Sequence, residues 1–232
     1  MKNKHLKLHL GIAFSVLCLC VSGVKNAVSA CPGDPHFDRR SVIQFTGDAL
    51  PPTYFHNYST AQIESMRHIR IHSGLQHNPG LTLAEHQLKT DCQIGSLTHG
   101  RGKGVCVWME SLQLYFGFNK MDVFLSSNYA EGTCPYRIVL WHENQHVAIN
   151  TRVFKKYRAL MERAVRRERS IPTKGNPLSV GSLQQGKAVI TAKIGRIVNP
   201  LYARFKNEVA AENAKIDTPA NYRRTQALCK EW

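Results

Sequence analysis

Trp141-His142-Glu143-Asn144-Gln145-His146-Val147-Ala148-Ile149 is the stretch around which the rest of the chain is arranged. It contains H-E-x-x-H. On an α-helix, positions i and i+4 lie one above the other on one face. His142 and His146 can therefore grip one zinc ion, and Glu143 can take a proton from a water on that ion. The competing account is two ordinary helix histidines beside a surface Glu. Helical phase separates the two. At about 100° per residue with His142 at zero, His146 falls at about 40°, Ile149 at about 340°, Val153 at about 20° and Leu160 at about 0°. Both histidines thus lie on the apolar stripe of a helix expected over residues 135–169. Pro135 suits its first turn. Lys155, Lys156, Arg163, Arg166, Arg167 and Arg169 crowd its far end, where the helix dipole favours cations.

Catalytic zinc takes three protein ligands and keeps one position open. No histidine follows His146, so the third ligand is sought among carboxylates. Glu162 faces away on the same helix, and Glu168 lies roughly 33 Å along the axis. A second helix is expected over residues 182–216, kinked at Asn199-Pro200 and stopped by Asp217-Thr218-Pro219. Its apolar stripe, Ile190, Ile194, Ile197, Leu201 and Phe205, continues into Glu208 and Glu212. Buried carboxylates must be paired, protonated or metal-bound. Antiparallel packing across the short connection sets Phe205 level with His146, within about a turn. Glu208 then falls level with the histidines; Asn207-Glu208-Val209-Ala210-Ala211-Glu212 also resembles the N-E-x-x-x-D/E run of glutamate-type zinc peptidases, and that likeness implies Glu208 as the third ligand and Glu212 as the group that orients a ligand histidine. The alternative is that both bond helix arginines such as Arg152. Asp217 is the rival ligand: it falls near 180° on the wheel, yet a helix end can swing a side chain inward.

The chain resembles a family of uncharacterised bacterial exported proteins predicted to be zinc-dependent proteases. The residues that carry the likeness are Cys106, His142-Glu143-Asn144-Gln145-His146 and Ile216-Asp217-Thr218, within residues 100–230. The resemblance implies a zincin-like fold and favours Asp217 as a ligand. The chain departs from it after Asp217, where Pro219-Ala220-Asn221-Tyr222 stands in place of a His-Gly.

Ahead of the motif helix, residues 105–115 and 121–126 alternate and are rich in β-formers. They are expected as an antiparallel hairpin turning at Phe116-Gly117-Phe118-Asn119-Lys120, able to offer an edge strand to an extended peptide. Residues 81–92 are expected to be helical, and residues 66–72 a half-buried strand with His68, Arg70 and His72 on its solvated face. Ser41-Val42-Ile43-Gln44-Phe45 reads as a strand, and Ser59-Thr60 as a helix start. His77-Asn78-Pro79-Gly80 reads as a turn. The glycine-rich loop at 98–104 lacks the Lys-Ser/Thr of a phosphate-binding loop.

Lys2, Lys4 and Lys7, the 15 apolar residues 10–24 and the small residues Val28-Ser29-Ala30 have the make-up of a signal peptide over residues 1–30. The protein is therefore expected to be exported, to the periplasm or beyond. Val28-Ser29-Ala30-Cys31 also resembles a lipobox, but Lys25 and Asn26 interrupt the apolar run before it, so a lipid on Cys31 is the lesser expectation. Cys31, Cys92, Cys106, Cys134 and Cys229 remain after cleavage, one too many for full pairing. Four of the +15 formal charges leave with the signal, and the remaining +11 favours an anionic envelope surface as a partner. Export disfavours nucleic acid.

The expectation is thus an α+β chain with three parts. Residues 1–30 are the signal, 31–99 an irregular and β segment, and 100–232 a zincin-like domain with a small antiparallel β region before a long antiparallel helical hairpin. The activity expected is hydrolysis of a peptide or protein by a zinc ion on His142, His146 and Glu208, with Glu143 activating the water. Tyr202 and Tyr222 are candidate oxyanion donors. The non-catalytic alternative is a basic envelope-binding module with a degenerate site.

Overall fold

The computed structural model describes residues 31, 41–66, 79–99 and 104–232. The signal segment, the 66–72 strand beyond Met66, the start of the turn at 77–80 and the centre of the glycine-rich loop lie outside them. In chain order come β1 (Val42–Thr46), β2 (Thr53–Tyr58), α1 (Thr60–Ser65), β3 (Gly80–His99), β4 (Gly104–Ser126), α2 (Cys134–Arg167), β5 (Leu178–Val180), α3 (Leu183–Ile216) and α4 (Pro219–Gln226).

The expected small antiparallel β region followed by a helical hairpin is incorrect. One five-stranded sheet is built on β4, and it is mixed. β3 runs antiparallel along one side of β4 from Gly80↔Leu125 to His99↔Gly104. On the other side β5 pairs antiparallel with Val105–Val107, and β1 and β2 pair parallel with Ser111–Tyr115 and with residues 122–126. The strands of residues 41–99 and the motif helix therefore share one framework.

The expected hairpin within residues 105–126 is a single strand, β4, interior to the sheet. Two irregularities explain the misreading. The register skips Glu110 and Asn119, so β4 carries one extra residue at each point. Each such bulge flips the inward-facing parity. Val107 and Met109 face the core first, then Leu112, Leu114, Phe116 and Phe118, then Met121, Val123 and Leu125. Gly117 and Asn119 look like turn residues but sit between or beside two buried rings. Phe116 and Phe118 lie 4.9 and 5.3 Å, centroid to centroid, from Phe154 of α2. Truncating Phe154, 2% exposed, to Ala is expected to cost roughly 3–5 kcal/mol.

Residues 81–92, expected as a helix, belong to β3. Cross-strand pairing along the whole of β4 overrides their weak helical pattern. Tyr202, a candidate oxyanion donor, instead donates its hydroxyl to the His86 carbonyl at 3.0 Å.

α2 and α3 lie on the sheet. Gly186 permits the approach of α3: a Cβ there would come within 2.6 Å of the Val107 side chain. The helices run antiparallel, as ion pairs from Arg152 to Glu212 and from Lys156 to Glu208 show. Ser182 caps α3 by accepting from the Gln185 amide, and the helix continues through Pro200.

Cys31 is joined to Cys106, and Cys134 to Cys229. These bonds, with no described helix long and apolar enough to cross a membrane, fit an exported chain. A lipid on Cys31 would need the sulfur that Cys106 holds. The odd thiol is Cys92, whose half-burial pushes its pKa up to about 11, so it is a poor nucleophile.

Candidate metal centre

Thr133 caps α2 by accepting from the Tyr136 amide, and the helix then runs unbroken through the motif. His142, Glu143 and His146 are 4%, 2% and 8% exposed. Burying three polar side chains within five residues of one helix is costly unless they have partners. The partners come from α3, from the α3–α4 junction and from β3.

Asp217 is the residue that meets both histidines. Its Oδ1 lies 3.1 Å from His142 Nε2 and 3.1 Å from His146 Nε2, and the two Nε2 atoms are 3.2 Å apart. Ligand atoms around a tetrahedral zinc, at about 2.0–2.1 Å from the metal, stand roughly 3.3 Å from one another. The three atoms are thus spaced as ligands of a single ion would be. Among the described residues this trio is the group of His, Cys and carboxylate side chains suited to hold a metal.

Asp217 reaches the pair because it is not helical. It caps α3 at φ −90° and ψ 43°, with its N–H donating to the Asn213 carbonyl, and Thr218 then caps α4. The wheel angle that turned Asp217 away applies only while the helix lasts.

Glu208, expected as the third ligand, is not brought to the histidines. It accepts from Lys156 Nζ at 2.7 Å and from the Tyr157 hydroxyl at 3.0 Å. Glu212 pairs with Arg152 at 3.1 Å and with Lys215. The reason is axial. The helix level with His146 was expected at Phe205, whereas Asn213 is the residue that meets it, eight positions later. That offset is about 12 Å along a helix. It arises because the connection is no simple turn: residues 168–182 leave α2 to pair β5 with β4 before α3 begins.

The second nitrogens are set differently. His146 Nδ1–H donates to the Asn213 side-chain carbonyl at 2.9 Å, which leaves Nε2 as the ligand atom. His142 Nδ1 is buried and has no hydrogen-bond partner among the described residues. The His142 side chain is one of those lining a cavity of about 20 Å³, room for one water. Asn150 donates to the His146 carbonyl, and the Tyr222 hydroxyl donates to Asp217 Oδ1 at 2.7 Å. The Tyr222 ring also lies 4.9 Å from that of His142, so Tyr222 braces the ligands.

Glu143 is anchored from β3. The Thr82 hydroxyl donates to Glu143 Oε2 at 2.7 Å. Gly80 makes room, since a Cβ there would stand 2.5 Å from Glu143 Oε1. Burial raises the Glu143 pKa above the ordinary carboxylate value, and the two imidazoles and Thr82 oppose this. Burial also works against charge at the other two groups. The hydrogen bonds from the imidazoles outweigh it at Asp217 and hold that carboxyl well below its usual range. At His146 the carboxylates of Asp217 and Glu143 outweigh it and hold the pKa above the ordinary histidine value.

Gly80, expected only as part of a turn, Thr82 and Asn213 were not expected at the site. Gly80 and Thr82 fell in or beside a presumed helix. Asn213 does carry a signal, since it lies four residues before Asp217 and so one turn below it. No family model, curated protein or solved structure matches this chain.

Proposed function

We propose that the protein is an exported zinc-dependent metallohydrolase of peptide bonds, with His142, His146 and Asp217 as ligands and Glu143 as general base. The observation that carries this reading is the trio of His142 Nε2, His146 Nε2 and Asp217 Oδ1 within 3.1–3.2 Å of one another. An acidic and two imidazole donors, with one position left open, suit zinc at a catalytic site.

Zinc bound there supplies a Lewis acid that polarises a carbonyl and makes water a nucleophile near neutral pH. The remaining work falls to the chain. Asn213 fixes the His146 tautomer, and Tyr222 holds Asp217 in place. Thr82 orients Glu143, whose raised pKa brings it nearer the range in which a carboxylate can accept and return a proton at neutral pH. The burial of Glu143 keeps bulk water away from that proton transfer.

Metal analysis tests the reading. Purified protein should hold one zinc per chain and cleave unstructured peptides. His146→Ala should lose the metal. Glu143→Gln should keep it and lose cleavage. Wild-type protein that stays metal-free after growth with zinc would refute the proposal.

A further inference from the structure

The cavity beside Glu143 and His142 is bounded by Pro79 and Gly80, by Ile138 and Val139 of α2, by Tyr222, Thr225 and Gln226 of α4, and by Trp232. Glu143, the proposed base, and His142, a proposed ligand, both line it, so it adjoins the proposed reacting centre. Its size, about 20 Å³, is that of one water or one methyl group. We propose that it is a recognition pocket for one small apolar side chain, alanine-sized, and that Trp232 determines that limit. The inference rests on the peptidase reading above and adds the substrate class.

The walls differ in firmness. Val139 is 6% exposed and belongs to a cluster with Val123 and Leu125. Pro79 is pinned by its carbonyl, which accepts from the Ser126 amide at 2.8 Å. Gly80 cannot gain a side chain without striking Glu143 and Val139. On the α4 side Tyr222 and Thr225 are buried and Gln226 is half-buried, whereas Trp232 is the most exposed of the lining residues, at 44%. Its indole N–H donates to the Gln226 carbonyl at 2.8 Å, its ring sits 5.8 Å from that of Tyr129, and Cys229 ties the segment to Cys134.

A branched or aromatic side chain does not fit this volume while Trp232 stays in place. A charged side chain would lose its hydration against an apolar lining, which costs several kcal/mol without a partner. Peptides with alanine at the position beside the scissile bond are therefore the preferred class.

The test uses zinc-loaded protein and hydroxamic acids whose α-substituent is methyl, isobutyl or benzyl. Methyl should bind at least about tenfold more tightly than benzyl. Trp232→Ala should improve benzyl binding by about tenfold and leave methyl within about threefold. Ile138→Ala enlarges the pocket from α2 and should shift the preference the same way, which guards against misfolding of one variant. Equal binding across the series, or an unchanged order in both variants, overturns the pocket alone. Protein that holds zinc but binds no member also overturns the pocket. Protein that holds no zinc overturns the pocket and the peptidase reading together.

Discussion

Along the seam between α2 and α3, Glu208 and Glu212 meet Lys156, Arg152 and Lys215, while further on Asp217 meets two imidazoles and a phenol. The cationic partners of the first region are 53–68% exposed at their side chains. The partners of Asp217 are 6% and 10% exposed. Charge in the first region is already neutralised by permanent cations in contact with water, and such pairs add little stability. In the second region no permanent cation among the described residues meets the carboxylate, so a proton on an imidazole or a metal would have to balance its charge. One seam thus holds a solvated ion-pair ladder and a buried site built to accept positive charge.

The sharpest way to break this contrast is to neutralise one carboxylate at a time. Asp217→Asn should weaken zinc binding by more than about a hundredfold, beyond what loss of an orienting partner causes. Glu208→Gln and Glu212→Gln should leave it within about twofold. Equilibrium titration against a competing chelator would show this, and a large effect of Glu208→Gln would restore Glu208 as the ligand. Asn213→Ala probes the positioning of His146 and should cost roughly ten- to a hundredfold in affinity, with recovery in Asn213→Asp.

Thermal unfolding gives a smaller signal with the same logic. Zinc at 100 times its dissociation constant should add about 2.7 kcal/mol, or roughly 5–10 °C in Tm for a chain of this size. Chelator should remove that shift, Asp217→Asn should abolish it, and Glu208→Gln should keep it. The smallest effect concerns pH. The hydrogen bond from Lys156 chiefly depresses the Glu208 pKa, and those from Lys215 and Arg152 depress that of Glu212. A depressed folded-state pKa contributes stability that is fully present above about pH 5 and is lost as the pH falls through the folded value. Chelator-treated Glu208→Gln should differ from chelator-treated wild type by no more than about 2 °C at pH 7. The two melting curves should converge toward pH 3.

The same contrast marks what could be read from the residues. The motif helix, the second helix and its stop at Asp217-Thr218-Pro219 follow from periodicity, capping and proline placement, all local effects. The choice of third ligand depended on axial register, which a strand in the connection shifted by eight residues. A wheel drawn past the end of α3 also assigned Asp217 a direction it does not keep. The β region failed for a related reason: an extra residue at Glu110 and another at Asn119 broke the alternation, so one strand read as two. The hint available was that Phe116 and Phe118 keep period two across the presumed turn.

β4 pairs with every other strand of the sheet, and its parallel partner β1 joins it across 69 positions, from Val42 to Ser111. Chain entropy charges heavily for such distant closure before any contact rewards it. Refolding with the disulfides reduced should therefore begin with the β3–β4 hairpin, whose pairing starts at nearby residues, and β1 should dock late. Until then the parallel side of β4 is an open template for a neighbouring chain. Reduced refolding yields should accordingly fall with protein concentration, and the Cys31–Cys106 bond, which fixes the chain 11 residues ahead of β1, should relieve that dependence.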